Sequence, residues 1–112
     1  MDCVFCKIAK GEIPSKKVYE DESVLAFCDL EPQAPVHILI IPKEHIASAE
    51  EITPENSAIV AHIYEVAAKL VAERHLDSGF RIVCNAGKDG GQTVPHLHFH
   101  LLGGRSMKWP PG

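Results

Sequence analysis

Three histidines occupy alternate positions near the C-terminus, at His96, His98 and His100. On a β-strand, alternate side chains share one face, so the three imidazoles would lie on one side of a sheet and the residues between them on the other. Imidazole titrates near neutral pH and its neutral ring is a nucleophile, which suits proton transfer and attack at phosphorus. Same-face neighbours lie roughly 6.5 to 7 Å apart, so two of these side chains can hold one metal ion but three cannot. The alternative is an ordinary polar face on an edge strand.

A glycine-rich segment from Lys88 to Thr93 enters the histidine strand. Backbone N–H groups of such a turn, together with the Thr93 hydroxyl, can bind an anion. A simple hairpin turn is the alternative, and the segment carries neither a Walker nor a Rossmann fingerprint. Its position next to the histidines favours the interpretation as an anion-binding segment.

Four cysteines are the other reactive side chains. Cys3 and Cys6 form a Cys-x-x-Cys pair at the N-terminus, whereas Cys28 and Cys84 stand alone in strand-like segments and are interpreted as core or site-lining residues. The chain opens with no basic, apolar leader, so we expect a cytoplasmic protein whose thiols stay reduced.

Hydrophobic patterning predicts the elements that position these side chains. A short helix is predicted over residues 5–9, and a long helix begins at Thr53-Pro54 and ends near His75. One face of the long helix is predicted to be buried through Ile59, Ile63, Val66 and Leu70. Strands are predicted over residues 17–20, 24–28, 36–41, 80–85 and 95–102, with a hairpin formed by the first two, a buried central third strand, and a turn at residues 87–91. This order predicts a single α+β domain over residues 1–112 with a mainly antiparallel sheet.

Composition excludes several classes of protein. With 112 residues, 46% apolar and 23% charged, the chain is neither disordered nor fibrous. The net charge of −4, without a basic cluster, argues against binding a nucleic-acid polymer. The longest apolar run, residues 36–41, is far shorter than the roughly 18 residues of a membrane span, so no membrane association is expected.

The segment His96-Leu97-His98-Phe99-His100-Leu101-Leu102 resembles the signature of the histidine triad, or HIT, superfamily of nucleotide hydrolases and transferases. The resemblance extends over almost the whole chain, and the ending is similar to that of the Hint branch, the purine nucleoside phosphoramidases. The other similar segments are Ile13-Pro14, Ala26-Phe27, Asp29-Leu30, residues 32–35, His37, residues 41–43, residues 90–92, residues 103–105 and residues 109–112. The family implies a HIT fold with about five strands, one long and one short helix, and a homodimer with a larger continuous sheet.

The resemblance also implies roles for individual residues. His98 would be the nucleophile that becomes nucleotidylated, His100 would contact the phosphate, and His37 would support the triad. Asp29 would bind the ribose hydroxyls, with Leu30 beside it at the base. The residues implied around the phosphate are Asn85, Gly91, Gln92 and Thr93.

Two further features follow from the resemblance. Some bacterial relatives carry the Cys-x-x-Cys pair as half of a zinc site, and here His45 and His96 match the other two ligands of Cys3 and Cys6. Two thiolates and two imidazoles suit a closed, structural zinc site, and a thiol pair without metal is the alternative.

The tail, residues 105–112, would carry Trp109 to the substrate site of the partner protomer, and packing against its own domain is the alternative.

The resemblance therefore implies hydrolysis of the P–N bond of adenosine or guanosine 5′-phosphoramidates, giving a nucleoside monophosphate and an amine. Dinucleoside polyphosphates or aminoacyl-adenylates are alternative substrates for the same histidine. Two alternatives belong to other classes of protein. One is a zinc-dependent hydrolase that uses His96 and His98 as metal ligands, and the other is a nucleotide-binding module whose turnover is incidental.

Overall fold

The computed structural model describes residues 3–112, and Met1 and Asp2, on which the expectation about a leader depends, lie outside them. The chain forms one five-stranded sheet in the order β1-β2-β3-β5-β4, and these neighbouring strands pair antiparallel. The predicted α+β class is therefore confirmed. The elements are α1 (Val4–Ala9), β1 (Lys17–Glu20), β2 (Val24–Cys28), β3 (Val36–Pro42), α2 (Ala58–Glu73), β4 (Phe80–Val83), α3 (Gly87–Gly90) and β5 (Phe99–Gly103), with a 3-10 turn at Ala49–Glu51.

The central strand β3 is buried on both faces, as its apolar sequence predicts. On one face Ile38 and Ile40 pack with the buried side of α2. On the other face Leu39 and Ile41 pack in a second core with Phe5 of α1. The sheet is thus covered by the long helix on one side and by the short helix α1 on the other.

Helix α2 begins later than predicted, at Ala58 rather than at Thr53-Pro54. The N–H of Thr53 donates to Oδ1 of Asn56 at 2.7 Å, and the Thr53 carbonyl accepts from Asn56, so the chain forms a turn before the helix. The predicted buried face is confirmed, since Ile63, Val66 and Leu70 are buried and Ile59 packs at the edge of the same core. Within the described part of the chain, no helix is long and apolar enough to cross a membrane.

Strand β5 begins at Phe99, whereas the sequence predicts a start at Pro95. The antiparallel register pairs Phe99 with Ile40, which would set Leu97 opposite Pro42. Proline has no N–H to donate to a ladder, and the N–H of Leu97 instead donates to the Ile46 carbonyl at 2.6 Å. The pairing therefore ends at Phe99, two residues short of Leu97, and residues 95–98 continue as a segment held by other contacts.

Two more boundaries differ from the prediction. Strand β4 ends at Val83 rather than at residue 85, and the predicted turn at residues 87–91 contains the single helical turn α3. Gly91 ends this turn at φ +81°, a left-handed conformation that glycine adopts without steric cost. The glycine-rich segment is therefore a compact loop between β4 and the histidines.

A cluster on the α2 side of the sheet ties this helix to the β1–β2 turn. Asp21 Oδ2 accepts from Tyr19 at 2.7 Å and lies 2.6 Å from His62 Nε2, while Nδ1 of His62 lies 3.0 Å from Oε1 of Glu65. Hydrogen bonds from the His62 ring to the carboxylates of Glu65 and Asp21 raise the pKa of His62. The pKa of Asp21 is lowered, because hydrogen bonds from His62, Tyr19 and backbone N–H groups outweigh the effect of burial. Protonated His62 can therefore bridge the two carboxylates.

Candidate functional site

The alternation predicted for the histidines is confirmed, although only His100 lies within β5. Leu97, Phe99 and Leu101 belong to the core against α2. The imidazoles of His98 and His100 lie on the opposite side, with their ring centroids 5.1 Å apart. The alternation of faces thus begins at Leu97, two residues before the ladder of β5.

The ring of His98 is fixed by its own backbone. His98 is only 4% exposed, and its Nδ1 lies 2.7 Å from the carbonyl oxygen of His96. A carbonyl oxygen only accepts, so Nδ1 carries the proton and donates. Nε2 is then the nitrogen with a free lone pair. This tautomer leaves His98 with the electron pair that a nucleophile needs.

His100 belongs to a chain of hydrogen bonds through His37. The N–H of Gln33 donates to Nδ1 of His37 at 3.0 Å, so the proton of this neutral ring is on Nε2. That Nε2 lies 2.9 Å from Nδ1 of His100 and 3.4 Å from Oδ2 of Asp29. The shorter contact makes His100 Nδ1 the main acceptor, which places the proton of His100 on its Nε2. His100 is thereby fixed as an N–H donor.

Burial keeps both of these imidazoles neutral. It lowers the pKa of His37, and the Asp29 carboxylate offsets this only in part. The pKa of His100 is lowered to about 4 by burial and by the neighbouring His98 and His37. At neutral pH the contact between His37 and Asp29 is therefore a hydrogen bond of a neutral ring rather than an ion pair.

A cavity of about 340 Å³ opens beside these histidines. Its lining includes His98, His100, Thr93, Asp29 and Leu30. Leu30 is 97% exposed. The remaining lining is mostly apolar and consists of Val4, Phe5, Ile8, Ile13, Pro14, Phe27, Leu39 and Val94, with Ser15, Lys16, Cys28 and Glu31 at its polar parts.

The glycine-rich loop borders this cavity only through Thr93. Gly91 and Gln92 line a shallower depression that shares Thr93 with the cavity, and Asn85 lines neither of the two. The Gln92 side chain accepts from the Gly87 N–H and donates to the Ala47 and Val94 carbonyls. These hydrogen bonds fix the conformation of the loop, which reaches the cavity at Thr93.

Cys3, Cys6, His45 and His96 come together in a second cluster next to the cavity. Their ligand atoms all lie within 4.8 Å of one another. Nδ1 of His96 lies 3.3 Å from the sulfur of Cys3 and 3.5 Å from that of Cys6, and Nδ1 of His45 lies 3.3 Å from the sulfur of Cys6. With Zn–S of about 2.3 Å and Zn–N of about 2.0 Å, tetrahedral geometry puts S and N ligands about 3.5 Å apart. The four side chains fit a zinc ion.

The orientation of His96 supports the same conclusion. This ring is fully buried, and its Nε2 lies 2.8 Å from the Pro42 carbonyl, so Nε2 carries the proton and Nδ1 faces the thiols with a lone pair. A histidine that ligates a metal through one nitrogen commonly donates to a carbonyl from the other. Among the described residues, no cluster of side chains suited to a metal ion contains both His96 and His98.

The sequence reasoning missed three partners in the site. Phe5, between the two cysteines, places its ring edge-on at 5.1 Å from His98 and 5.9 Å from His96. Gln33 and Pro42 act through backbone groups, which no side-chain pattern reveals. Only the placement of an aromatic residue inside the Cys-x-x-Cys pair was a signal that could have been used.

The C-terminal tail runs along the surface. The Arg105 Nε donates to the Gln33 carbonyl at 3.0 Å, and the Arg81 guanidinium donates to the Lys108 carbonyl at 2.9 Å. Trp109 is nevertheless 81% exposed, so its ring is not buried by its own domain. The alternative that the Trp109 ring packs against its own domain is therefore wrong.

Comparisons with known proteins agree on one family. The family model of the HIT domain matches residues 10–107. A crystal structure of a HIT family hydrolase from Legionella pneumophila superimposes with a TM-score of 0.97 at 52% identity, covering 99% of this chain and 100% of that one. A histidine triad nucleotide-binding protein from Candida albicans superimposes with a TM-score of 0.83 at 37% identity, covering 97% of this chain and 83% of that one.

A sequence relative bears on the cysteine cluster. A 14 kDa zinc-binding protein of Zea mays is 51% identical over 114 residues, covering 97% of this chain and 87% of that protein. The match to the family model spans most of the chain, and the fold and the alternating histidines agree with it. The chain therefore belongs to the HIT domain family.

Proposed function

We propose that this protein is a nucleotide hydrolase that cleaves the P–N bond of purine nucleoside 5′-phosphoramidates with His98 as the nucleophile. The observation that carries the proposal is the hydrogen bond from His98 Nδ1 to the His96 carbonyl at 2.7 Å. It leaves the Nε2 lone pair on a ring that lines the cavity. Membership of the HIT family and the similarity to a HIT family hydrolase support the reaction class.

In the first step the His98 Nε2 lone pair attacks the α-phosphorus, and the P–N bond of the substrate breaks. The nitrogen takes both bonding electrons and a proton and leaves as an amine, and a nucleotidyl group remains on His98. Water then attacks the same phosphorus, the bond to His98 breaks, and a nucleoside monophosphate is released. One water is consumed for each P–N bond, so the atoms balance. The covalent intermediate divides one difficult displacement into two easier ones.

His100 supports both steps as a hydrogen-bond donor. Its Nδ1 accepts from His37, so its Nε2–H is available to a phosphate oxygen. A neutral donor suits this role, because the low pKa of His100 leaves it uncharged in the empty cavity. A bound phosphate brings negative charge, which raises the pKa of a nearby imidazole and so populates the protonated form that can give the leaving amine its proton.

The nucleoside would occupy the rest of the cavity. Asp29 offers a carboxylate to the two ribose hydroxyls, and Leu30 with the apolar lining offers a surface for a purine ring. Thr93 would contact the phosphate, and Asn85, Gly91 and Gln92 would support the loop that carries it. In a homodimer with a continuous sheet, the exposed Trp109 of one protomer would reach the leaving group in the other.

We also propose that Cys3, Cys6, His45 and His96 bind one structural zinc ion per chain. The separations of their ligand atoms and the tautomer of His96 support this, as does the similarity to a zinc-binding relative. The four protein ligands complete a tetrahedron and leave no position for substrate. Metal analysis of the untagged protein as purified should give one zinc per chain, and metal-free protein would refute this assignment.

The test of the reaction uses an adenosine 5′-phosphoramidate with a chromophoric or fluorescent amine. The wild type is expected to release the amine and AMP, and acid-quenched protein is expected to carry one nucleotidyl group on His98. His98→Ala should keep the fold and AMP binding and lose turnover by several orders of magnitude. Turnover of the wild-type rate in His98→Ala would refute the mechanism. Release of nucleotide from dinucleoside polyphosphates without any P–N cleavage would instead favour the alternative substrates.

A further inference from the structure

Helix α1 takes part in both the zinc cluster and the cavity. It has only six residues, and a helix of this length is not stable without tertiary contacts. Cys3 precedes it and Cys6 lies within it, and both sulfur atoms belong to the zinc cluster. Val4, Phe5 and Ile8 line the cavity. The same short element thus supplies two metal ligands and one wall of the substrate site.

Phe5 makes the most direct connection between the two. It is 7% exposed, and its ring packs edge-on against Phe27, His96 and His98, with centroid distances of 5.6, 5.9 and 5.1 Å. A displacement of α1 would remove this ring from the His98 imidazole and open the cavity wall. The position of Phe5 therefore depends on what holds α1 against the sheet.

His96 has anchors that α1 lacks. Its Nε2 donates to the Pro42 carbonyl at 2.8 Å, and the next residue, Leu97, is fully buried and donates its N–H to the Ile46 carbonyl at 2.6 Å. The His96 carbonyl that fixes the tautomer of His98 thus stays in place without any metal. On the side of α1, the cysteines are the links to His45 and His96. Loss of the metal should therefore release α1 far more than it disturbs His98.

We propose that α1 is a metal-dependent wall of the nucleotide cavity: Cys3 and Cys6 fix the helix, the helix fixes Phe5, and zinc loading thereby strengthens nucleotide binding without changing the chemical step. This inference rests on the proposed function, since it takes a purine nucleotide as the ligand. The coupling is reciprocal, so the nucleotide must strengthen zinc binding by the same factor. Cys3 and Cys6 are positioning residues in this scheme and touch no substrate.

The first experiment measures AMP affinity by calorimetry for the zinc-loaded wild type and for the same protein after removal of zinc with a chelator. We expect affinity to fall about tenfold, within the usual range of coupling between two sites. Zinc affinity, measured by competition with a chromophoric chelator, should rise by the same factor when AMP is saturating. Equal AMP affinities, or zinc affinity that is indifferent to AMP, would overturn the proposal.

Two variants separate the effect of α1 from a general loss of stability. Phe5→Leu keeps all four metal ligands, so it should keep its zinc affinity and lose several-fold in AMP affinity. Val66→Ala removes buried volume from α2, on the opposite face of the sheet, and should lower Tm while AMP affinity stays unchanged. An equal loss of AMP affinity in Val66→Ala would show that stability alone is responsible and would overturn the proposal.

The kinetics and a ligand-free measurement complete the test. Removal of zinc should raise KM and leave kcat within a few-fold, and a selective loss of kcat would overturn the proposal.

Without any nucleotide, the imidazole C–H resonance of His98 should shift on zinc removal because the ring of Phe5 moves, whereas that of His62 on the far face should not. An unshifted His98 resonance would overturn the role of α1. Absence of AMP binding in both forms would refute the proposed function itself, whereas equal binding refutes this inference alone.

Discussion

Replacing His37 by alanine tests the hydrogen-bond chain that fixes His100. His37 is 7% exposed and has two short contacts, at 3.0 Å with the Gln33 N–H and at 2.9 Å with His100 Nδ1. Each buried group left without a partner costs about 1–3 kcal/mol, and water from the adjoining cavity can satisfy part of this, so we expect a loss of about 2–4 kcal/mol. For a chain of this size that corresponds to a fall in Tm of about 8–16 °C.

The effect of His37→Ala on activity follows from the tautomer of His100. Without His37 nothing holds the His100 proton on Nε2, so its hydrogen bond to the phosphate is lost for much of the time. Hydrogen bonds to charged groups contribute about 1.5–3 kcal/mol, which corresponds to a fall in kcat/KM of about 10- to 100-fold. The assay is amine release from an adenosine phosphoramidate, with Tm measured on the same sample. His62→Ala removes an imidazole from the opposite face and should leave kcat/KM unchanged.

The same variant should also change the pH dependence of stability. The pKa values of His37 and His100 lie below the ordinary value near 6.5, so the unfolded chain takes up more protons in acid than the folded one. Stability is therefore fully present above pH 6.5 and falls as pH is lowered through the window from about 6.5 to 4. His37→Ala removes one of the two groups and should make this fall less steep. Wild-type kcat/KM, or an unchanged slope, would refute the reasoning.

Three further predictions concern the rest of the molecule. His62→Gln should lower Tm at pH 5.5 and have little effect at pH 9. The pKa of His62 is raised, so its charged bridge to the two carboxylates is present in acid and is lost as pH rises through this pKa. A Tm difference between variant and wild type that does not depend on pH would contradict this. Gly104→Ala should lower Tm, since Gly104 has φ +91° and a Cβ there would lie 2.9 Å from Cβ of Pro35; an unchanged Tm would show that this loop yields easily. Deletion of residues 107–112, which keeps the Arg105 contact to Gln33, should change the preference between aromatic and aliphatic amines more than it lowers Tm, and light scattering should find the wild type to be a dimer. An unchanged preference would show that the tail contributes nothing to the substrate site.

Periodicity predicted those parts of the fold in which one face is buried. The buried side of α2 and the alternation through Leu97, Phe99 and Leu101 lie where apolar side chains repeat with the period of the element. The continuous apolar run of β3 likewise predicted a strand buried on both faces. The same alternation in the sequence predicts that His98 and His100 share one face. These features are local in sequence, which is why a single sequence is sufficient to predict them.

The errors lie where a contact distant in sequence decides the local structure. The start of β5 depends on Pro42, which has no N–H to offer to the neighbouring strand. The late start of α2 is an exception, because the bond from the Thr53 N–H to the Asn56 side chain is local and would also suit a helix N-terminus. Neither of these partners leaves a periodic signal in the sequence.

Each of the three histidines differs from the others in one hydrogen bond, and this bond determines which ring nitrogen carries the proton. His96 donates from Nε2 to Pro42 and so turns Nδ1 to the thiols. His98 donates from Nδ1 to a carbonyl and so keeps Nε2 free for attack. His100 accepts at Nδ1 from His37 and so presents an N–H. The alternating spacing shows only that three imidazoles share a face, whereas backbone carbonyls and one buried histidine decide which is ligand, nucleophile or donor. Variants that alter those partners should therefore exchange or mix the roles while all three histidines remain in place.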